Sequence, residues 1–414
     1  MIDPISGPAT PPETRNTEHG TRNTPPNPSP MTEQPAATQL DPGRQATARA
    51  YAAITRRLFF VELGLGAVLL AALLFSGGSA ALRDWAESLV PAGLWGGALV
   101  LYLGVLVLGY TLITLPLGYY SGFVLPQRYG LSTETRRLWA MDQVKGLLLE
   151  ALLGTPLALA LYGLLRAFPD TWWLLMAALL ILVGILLGQL APVLLMPLFN
   201  RFTPLEEGPL RIRLLEMAAA AGSPVRGVFV MDLSKRTTAA NAMFTGIGPT
   251  RRIILGDTLL QGYSEDEIET VLAHELAHQV HGDLWRGIAL QAVLTLAGMG
   301  LAALGLQAGA GAFGFRGIAD PAAFPVLVAV FSVFGLVLLP VTNAFTRRME
   351  RAADAYALRV TRKPRAFQAV MAKLAGQNLS DAAPPAWVRL LFYSHPPIAE
   401  RIAAAEAFAR QQSS

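Results

Sequence analysis

The most chemically informative pattern in the sequence is His-Glu-Leu-Ala-His, which runs from His274 to His278. Two histidines four residues apart project from the same face of a helix, so their neutral ring nitrogens can bind one Zn²⁺. Glu275 lies beside them, where its carboxylate can accept a proton from water that the ion activates. The chain contains only five histidines, so chance rarely produces this pattern. We therefore predict a hydrolytic metal site rather than two unrelated surface histidines on a helix.

A hydrolytic zinc site requires a third protein ligand and one open coordination position. The candidates are His281, Asp283 and Glu350. His281 lies too far along the helix to reach the same ion comfortably, and Asp283 lies beyond the expected helix end. Glu350 is distant in sequence, but a membrane hairpin between the motif and Glu350 would return it to the same side. Asp354 follows Glu350 by four residues and could orient a ligating imidazole, although both carboxylates could instead form a solvated charged face.

Charged residues are scarce and unevenly distributed: 15% of the chain is charged, whereas 53% is hydrophobic. A soluble domain has about 25% charged residues. A membrane-spanning helix takes about 20 apolar residues, and core helices of soluble proteins seldom stay uncharged for that long. We therefore predict a mainly α-helical protein with a polytopic membrane bundle of about six spans, near residues 58–77, 94–118, 147–166, 172–195, 286–306 and 324–345.

Lysine and arginine residues cluster at one set of span ends. They are frequent before span one, between spans two and three, after span four and after span six, and with six spans all of these segments share one side. Because short cytoplasmic loops are enriched in these residues, we expect both termini and the polar segment 199–285 to face the cytoplasm. The net charge of +4 gives no reason to expect a nucleic-acid partner, and the absence of cysteine excludes thiolate chemistry.

The polar segments divide the chain into parts of different character. Residues 1–50 are rich in proline and are predicted to be disordered. In the polar insert we predict a helix over Leu210–Ala221, strands near Val225–Met231, Asn241–Thr245 and Arg252–Leu255, and a second helix that carries the histidines and starts with a capping box at Ser264–Glu267. The parts are the tail (1–50), membrane helices one to four (51–198), a cytoplasmic zincin-like α+β metalloprotease insert (199–285), membrane helices five and six (286–346), and a C-terminal helical part that completes the zinc site (347–414).

Further motifs occur between about residues 120 and 401. They are Tyr129–Ser132, Pro197–Leu205, Asn241–Gly246, Thr250–Leu255, His274–His278, Glu350–Asp354, and Ser394–Pro397 with Arg401. His-Glu-x-x-His alone indicates only a zinc peptidase, but the combination is specific. It resembles the integral-membrane type I CAAX prenyl endopeptidases, which are gluzincin-type zinc metallopeptidases.

The resemblance implies that Glu350 is the third ligand and that Asn241, His395 and Arg401 are active-site residues around a bound peptide. It also implies a helical bundle that encloses a large water-filled chamber. Each role has an independent physical basis as well. Asn241, in a predicted strand, could hold a substrate backbone group where a peptide adds as a further strand. His395 could donate a hydrogen bond to the oxyanion of the tetrahedral intermediate, and Arg401 could position it or bind a carboxylate.

We therefore expect an integral-membrane zinc metalloendopeptidase, similar to the CAAX prenyl proteases, with one Zn²⁺ per chain. Its partners would be the lipid bilayer and a peptide or membrane-protein substrate, with a prenylated C-terminus as one candidate. The expected location is a bacterial inner membrane, with the catalytic site facing the cytoplasm. Two alternatives stay open: a quality-control protease of the heat-shock-induced membrane type, and a non-enzymatic transporter or scaffold with a structural metal site.

Overall fold

The structure, a computed structural model, describes residues 39–246 and 250–413, and these residues form 15 α-helices and four β-strands. Most of the predicted tail, residues 1–38, lies outside the described residues. The first helix, α1, already begins at Pro42, and Asp41 caps it by accepting a hydrogen bond from the Arg44 amide at 2.7 Å. An aspartate before a proline is a strong signal for a helix start. The prediction that the tail extends to residue 50 is therefore wrong at its C-terminal end, because residues 42–50 are helical.

Six helical segments of the described chain are long and apolar enough to cross a membrane, which confirms the predicted number. Each of them overlaps one predicted span. A short helix, α2 (Gly78–Ser88), connects the first two. The six segments are α1 (Pro42–Phe75), Trp95–Arg128 with α3 (Trp95–Tyr119) and α4 (Leu125–Arg128), α5 (Arg136–Ala167), Trp172–Phe199 with α6 (Trp172–Leu190) and α7 (Met196–Phe199), α11 (Asp283–Ala312), and Pro321–Thr361 with α12 (Phe324–Thr361).

Two of these segments contain a π-helical turn near their polar end. One turn, Tyr120–Val124, separates α3 from α4, and the other, Ala191–Leu195, separates α6 from α7. The second turn includes Pro192, which lacks the amide that would continue the helical hydrogen bonds. The Pro192 carbonyl accepts a hydrogen bond at 2.9 Å from the Arg252 guanidinium. This contact attaches the polar insert to the end of the fourth membrane segment.

The polar insert contains a four-stranded sheet with the strand order β1–β2–β4–β3. The strands are β1 (Phe202–Pro204), β2 (Val228–Met231), β3 (Ala242–Thr245) and β4 (Arg252–Gly256). β2 and β4 are parallel, and the two outer strands pair antiparallel to them. Among the described strands, β3 pairs only with β4, so its other edge is available. Asn241 directly precedes β3 and does not lie in the strand as predicted.

The helix that carries the histidine motif, α10 (Glu265–Val280), starts with the predicted capping box. The Ser264 hydroxyl accepts a hydrogen bond from the Glu267 amide at 3.3 Å, and the Glu267 carboxylate accepts one from the Ser264 amide at 2.8 Å. At the other end, Gly282 has a left-handed conformation with φ of +67°. Glycine adopts this conformation without steric cost. The chain can therefore pass from α10 into the membrane helix α11 through a very short turn.

α12 extends from the membrane segment into the polar part without a break at residue 345, where the predicted span ends. It packs against α10 and carries Glu350 and Asp354, which are both buried. The remaining helices are α8 (Pro209–Ala220), α9 (Asp257–Gly262), α13 (Pro364–Gln377), α14 (Ala386–Phe392) and α15 (Ile398–Ser413). Residues from the insert and from the C-terminal helices share one hydrophobic core. Two separate chain segments therefore build a single folded unit.

Candidate active site

The two motif histidines project from α10 towards one carboxylate on α12. Their ring centroids are 5.1 Å apart, with the ring planes at 86°. His274 Nε2 lies 3.1 Å from Glu350 Oε2, and His278 Nε2 lies 3.6 Å from Glu350 Oε1. His281 is not part of this group, because its ring stacks edge-on against Tyr356 at 5.7 Å. The packing of α10 on α12 thus brings Glu350, and not His281, to the histidine pair.

Each histidine is held by a carboxylate at its other ring nitrogen. His274 Nδ1 lies 2.9 Å from Asp354 Oδ1, and His278 Nδ1 lies 2.8 Å from Asp283 Oδ2. A proton on each Nδ1 satisfies these hydrogen bonds and leaves each Nε2 lone pair directed at the centre. Such outer carboxylates fix the ring orientation and the tautomer of metal-binding histidines. Asp283, which the sequence suggested as a possible direct ligand, therefore contacts a histidine instead.

The group His274, His278 and Glu350 fits a divalent metal ion with the preferences of zinc. One ligand atom from each residue lies within 4.8 Å of the others, and two nitrogens with one carboxylate oxygen are a usual zinc donor set. Glu350 Oε2 is buried, and while His274 carries its proton on Nδ1 toward Asp354, no described residue donates a hydrogen bond to this oxygen. Burial lowers the pKa of His274, but hydrogen bonds to Asp354 and Glu350 raise it by more, to about 9. Both observations indicate that this position favours a cation.

The carboxylate of Glu275 takes no part in the contacts among His274, His278, Glu350 and the two outer carboxylates. None of the described residues forms a hydrogen bond or an ion pair with it, although it lies next to His274 in the chain and lines the same cavity. Burial raises the pKa of Glu275. A carboxylate that is desolvated and unpaired accepts a proton more readily than one in water. Its position is suited to proton transfer.

A cavity of about 220 Å³ extends over this centre. Its polar wall includes His274 and Glu275 from α10, Asn241 before β3, and His395 from the segment between α14 and α15. The apolar part of its lining includes four side chains of α13, namely Phe367, Val370, Met371 and Leu374. The site therefore combines convergent polar groups with an apolar wall, an arrangement that can receive a substrate side chain beside a reacting bond.

His395 borders the metal centre without being held by an outer carboxylate. Its Nε2 lies 3.4 Å from Glu350 Oε2, its Nδ1 lies 3.0 Å from the Ser394 hydroxyl, and its side chain is 57% exposed. Burial of part of the ring lowers the pKa of His395, which favours the neutral form at pH 7. A neutral imidazole at this point can still donate one hydrogen bond to a group in the cavity.

Arg401 contacts the centre through Asp354. Its Nε donates to Asp354 Oδ2 at 2.9 Å and its terminal nitrogen donates to Oδ1 at 2.5 Å. Only 8% of Arg401 is exposed. Two N–H groups of the guanidinium therefore hold Asp354, the carboxylate that contacts His274, and Arg401 also lines the cavity.

Two residues near the centre were not assigned a role from the sequence. Asp283 was set aside because it lies past the end of α10, but the turn at Gly282 directs it back towards His278. In the sequence, Gly282 directly before Asp283 was the signal that the chain turns at this point. Asn378, at the end of α13, accepts a hydrogen bond from the Ala240 amide at 3.2 Å and lines the cavity beside Asn241. Nothing in the sequence near Asn378 indicates this contact, because it joins distant parts of the chain.

Asp283→Asn should weaken metal binding by about 10- to 100-fold without unfolding the protein, because asparagine keeps the shape but loses the charge that holds His278. Competition with a chromophoric zinc chelator measures the affinity. Arg286→Gln is a matched control, since it removes the 3.1 Å ion pair of Asp283 with Arg286 and leaves the contact with His278 intact. An unchanged affinity in Asp283→Asn would exclude a role for Asp283 in holding the ligand.

Two family models match this chain. Residues 204–409 match the model of peptidase family M48, and residues 23–201 match the CAAX prenyl protease N-terminal model, which is described with five membrane helices. Described residues 39–201 contain four helical segments long enough to cross a membrane.

Similar proteins occur in bacteria and in yeasts. An uncharacterized metalloprotease of Bacillus subtilis, YhfN, is 34% identical over 91% of this chain and 88% of its own length. CAAX prenyl protease 1 of Saccharomyces cerevisiae is 34% identical over 73% of this chain and 71% of its own length. The crystal structure of S. mikatae Ste24p matches with a TM-score of 0.77 and 29% identity, and covers 88% of this chain and 89% of that one.

A membrane helix bundle joined to a His-Glu-x-x-His centre defines an integral-membrane metalloendopeptidase. The chain belongs to peptidase family M48, and its N-terminal part is that of the CAAX prenyl proteases. This confirms the predicted fold and enzyme class, and the family implies a bound metal, typically zinc. The match to the CAAX prenyl protease N-terminal part does not favour the heat-shock type of protease.

Proposed function

We propose that the protein hydrolyses peptide bonds at one Zn²⁺ per chain, bound by His274, His278 and Glu350. The convergence of their three ligand atoms, beside the unpaired carboxylate of Glu275, carries this proposal. When bound, zinc polarises a carbonyl group and lowers the pKa of water at the centre towards about 7. Asp354 and Asp283 hold the two imidazoles so that both Nε2 atoms stay directed at one point.

Glu275 is the proton carrier in this proposal. Its carboxylate accepts the proton of the attacking water and then delivers it to the amine of the leaving peptide. Two properties of the site support this role. Burial raises the pKa of Glu275, so the carboxylate holds a proton more readily between the two steps. The carboxylate also has no ion pair among the described residues that would fix it in one orientation.

We further propose that Asn241 and His395 contact the substrate, whereas Arg401 acts as a positioning residue through Asp354. The available edge of β3 can pair with an extended peptide, and Asn241 lies at the start of that edge. The backbone carbonyl of Asn241 accepts a hydrogen bond from the Gly256 amide at 2.8 Å. The side-chain amide of Asn241 is therefore the group that would bind the substrate backbone. His395 can stabilise the oxyanion of the tetrahedral intermediate from the cavity wall.

For the substrate we propose a membrane-associated protein or peptide, with a prenylated C-terminus as one candidate. The names of the eukaryotic relatives, CAAX prenyl protease 1 and its homologues, support this choice. We place the protein in a bacterial inner membrane with the catalytic site on the cytoplasmic side. The side on which arginine and lysine accumulate and the similarity to a bacterial relative support this location.

Mass-spectrometric mapping of products tests the proposed function. The purified protein is offered a farnesylated C-terminal peptide, the same peptide without the lipid, and an unmodified membrane protein in detergent. We expect cleavage near the C-terminus, at least about tenfold faster with the farnesyl group because the lipid contributes buried apolar surface, and complete loss of cleavage with a chelator that is reversed by zinc. Equal rates with and without the lipid would exclude prenyl recognition, and the absence of any metal-dependent product would contradict the peptidase assignment.

A further inference from the structure

A second cavity, of about 360 Å³, lies between α12 and α14, away from the cavity over the metal centre. The described residues that line it are Ala344, Arg347, Arg351, Ala386, Arg389 and Leu390, and none of these is acidic. Glu400 pairs with two of the three arginines, at 2.5 Å to Arg389 and at 3.4 Å to Arg351. Arg347 is buried, and its Nη1 donates to the carbonyls of Arg389 and Tyr393. Arg351 and Arg389 are the more exposed cations, and they share the one carboxylate of Glu400, which leaves an excess of positive charge at the cavity.

This cavity lies at the level where the chain leaves the apolar part of the membrane bundle. Arg347 directly follows the stretch 321–346, which contains no charged residue. On α14, Trp387 and Leu390 are 51% and 48% exposed. Phe392, at the end of α14, packs edge-on against Phe59 of α1 at 5.3 Å. Tryptophan is enriched where the hydrocarbon of a bilayer meets its headgroups, so α14 has the composition of an interfacial helix.

An exposed apolar stripe on α12 leads to the cavity from the membrane side. It consists of Val333, Val337 and Val341, which are 63%, 65% and 54% exposed. Their spacing of four residues keeps them on one helix face, and the next turns of that face carry Ala344 and Arg351. At 3.6 residues per turn, this face lies on the far side of α12 from Glu350. The stripe and the cavity therefore form one surface that is separate from the metal centre.

We propose that this surface binds an anionic phospholipid, with the headgroup phosphate in the arginine-lined cavity and an acyl chain along the valine stripe. Guanidinium groups are the side chains best suited to phosphate oxygens, because they donate two parallel hydrogen bonds. Inorganic phosphate has the same polar chemistry, but it would leave the valine stripe uncovered. The continuity of the apolar stripe with the cationic cavity is what favours a lipid.

Native mass spectrometry of the purified full-length protein tests this inference. Delipidated protein is titrated with phosphatidylglycerol or with phosphatidylcholine of the same acyl chains. We expect one saturable phosphatidylglycerol adduct, and the double variant Arg351→Gln/Arg389→Gln should weaken it about 30-fold. Ala344→Trp fills the cavity without changing the charge and should weaken the adduct as well. Because Ala344 is exposed, this second variant provides a test if the arginine variant does not fold.

The matched control is Arg136→Gln/Arg137→Gln, which removes two exposed arginines at the end of another membrane helix, α5. This control should bind phosphatidylglycerol like the unmodified protein. Equal weakening in the control would mean that binding follows overall charge and would overturn the proposed site. Equal affinity for phosphatidylcholine would also overturn it, as would displacement of phosphatidylglycerol by millimolar inorganic phosphate.

Discussion

Glu275→Gln should leave a folded protein that still binds its metal but cleaves peptide bonds about 10²- to 10⁴-fold more slowly. This range is what a positioned general acid or base contributes. Glutamine has the size of glutamate and can still donate and accept hydrogen bonds, but it cannot take up the proton of the attacking water. Because none of the described residues pairs with the Glu275 carboxylate, the substitution breaks no hydrogen bond or ion pair of the described structure.

Two measurements distinguish a proton-transfer role from a structural one. Zinc per chain, determined by mass spectrometry of the metal, should equal that of the unmodified protein, and single-turnover cleavage should show the loss in the chemical step. Glu265→Gln, in the first turn of the same helix and exposed to solvent, is the matched control and should retain full activity. Near-normal turnover in Glu275→Gln would overturn the assignment of Glu275 as the proton carrier.

Glu350→Ala should reduce metal affinity by more than about 100-fold, a larger effect than the 10- to 100-fold expected from an outer carboxylate. The substitution removes the Glu350 carboxylate. Among the described residues, this is the only carboxylate that lies close to the Nε2 atoms of both His274 and His278. Two imidazoles alone leave a zinc ion short of one protein ligand. Activity should fall in parallel with the metal content.

Dialysis against a weak chelator, followed by determination of zinc per chain, measures this effect. Glu406→Ala, an exposed acidic residue on α15, controls for the general loss of one negative charge. A thermal unfolding curve of the apoprotein would show whether the variant is still folded, so that metal loss is not confused with unfolding. A normal zinc content in a folded Glu350→Ala protein would remove Glu350 from the ligand set.

The membrane part could be predicted well from the sequence because hydropathy is a local property. Each predicted span corresponds to one of the six membrane-length segments of the described chain. The ends of helices were less predictable, since hydropathy marks the passage through lipid and not the limits of hydrogen bonding. α1 therefore begins before its apolar stretch, and α12 continues past its own to carry Glu350 and Asp354.

The small sheet was only partly predictable. The strands around Val228 and Ile253 were expected because their residues are apolar and are bounded by turn residues. β1 has only three residues, two of them exposed, and it exists because it pairs with β2. Such a strand has no hydrophobic pattern of its own, so it depends on its partner.

The sequence by itself determined the two motif histidines and Glu275 as a chemical unit, because one helix turn sets their relative positions. It also determined that Glu350 and Asp354 share a helix face. Only the tertiary structure decided which groups these residues meet. The packing of α10 on α12 directs Glu350 at both Nε2 atoms, the glycine turn returns a second carboxylate to His278, and the C-terminal helix engages Asp354 with a guanidinium. Each of these contacts depends on how separate segments pack or turn. Helical periodicity specifies positions within one helix only, and so it does not specify the distances between segments.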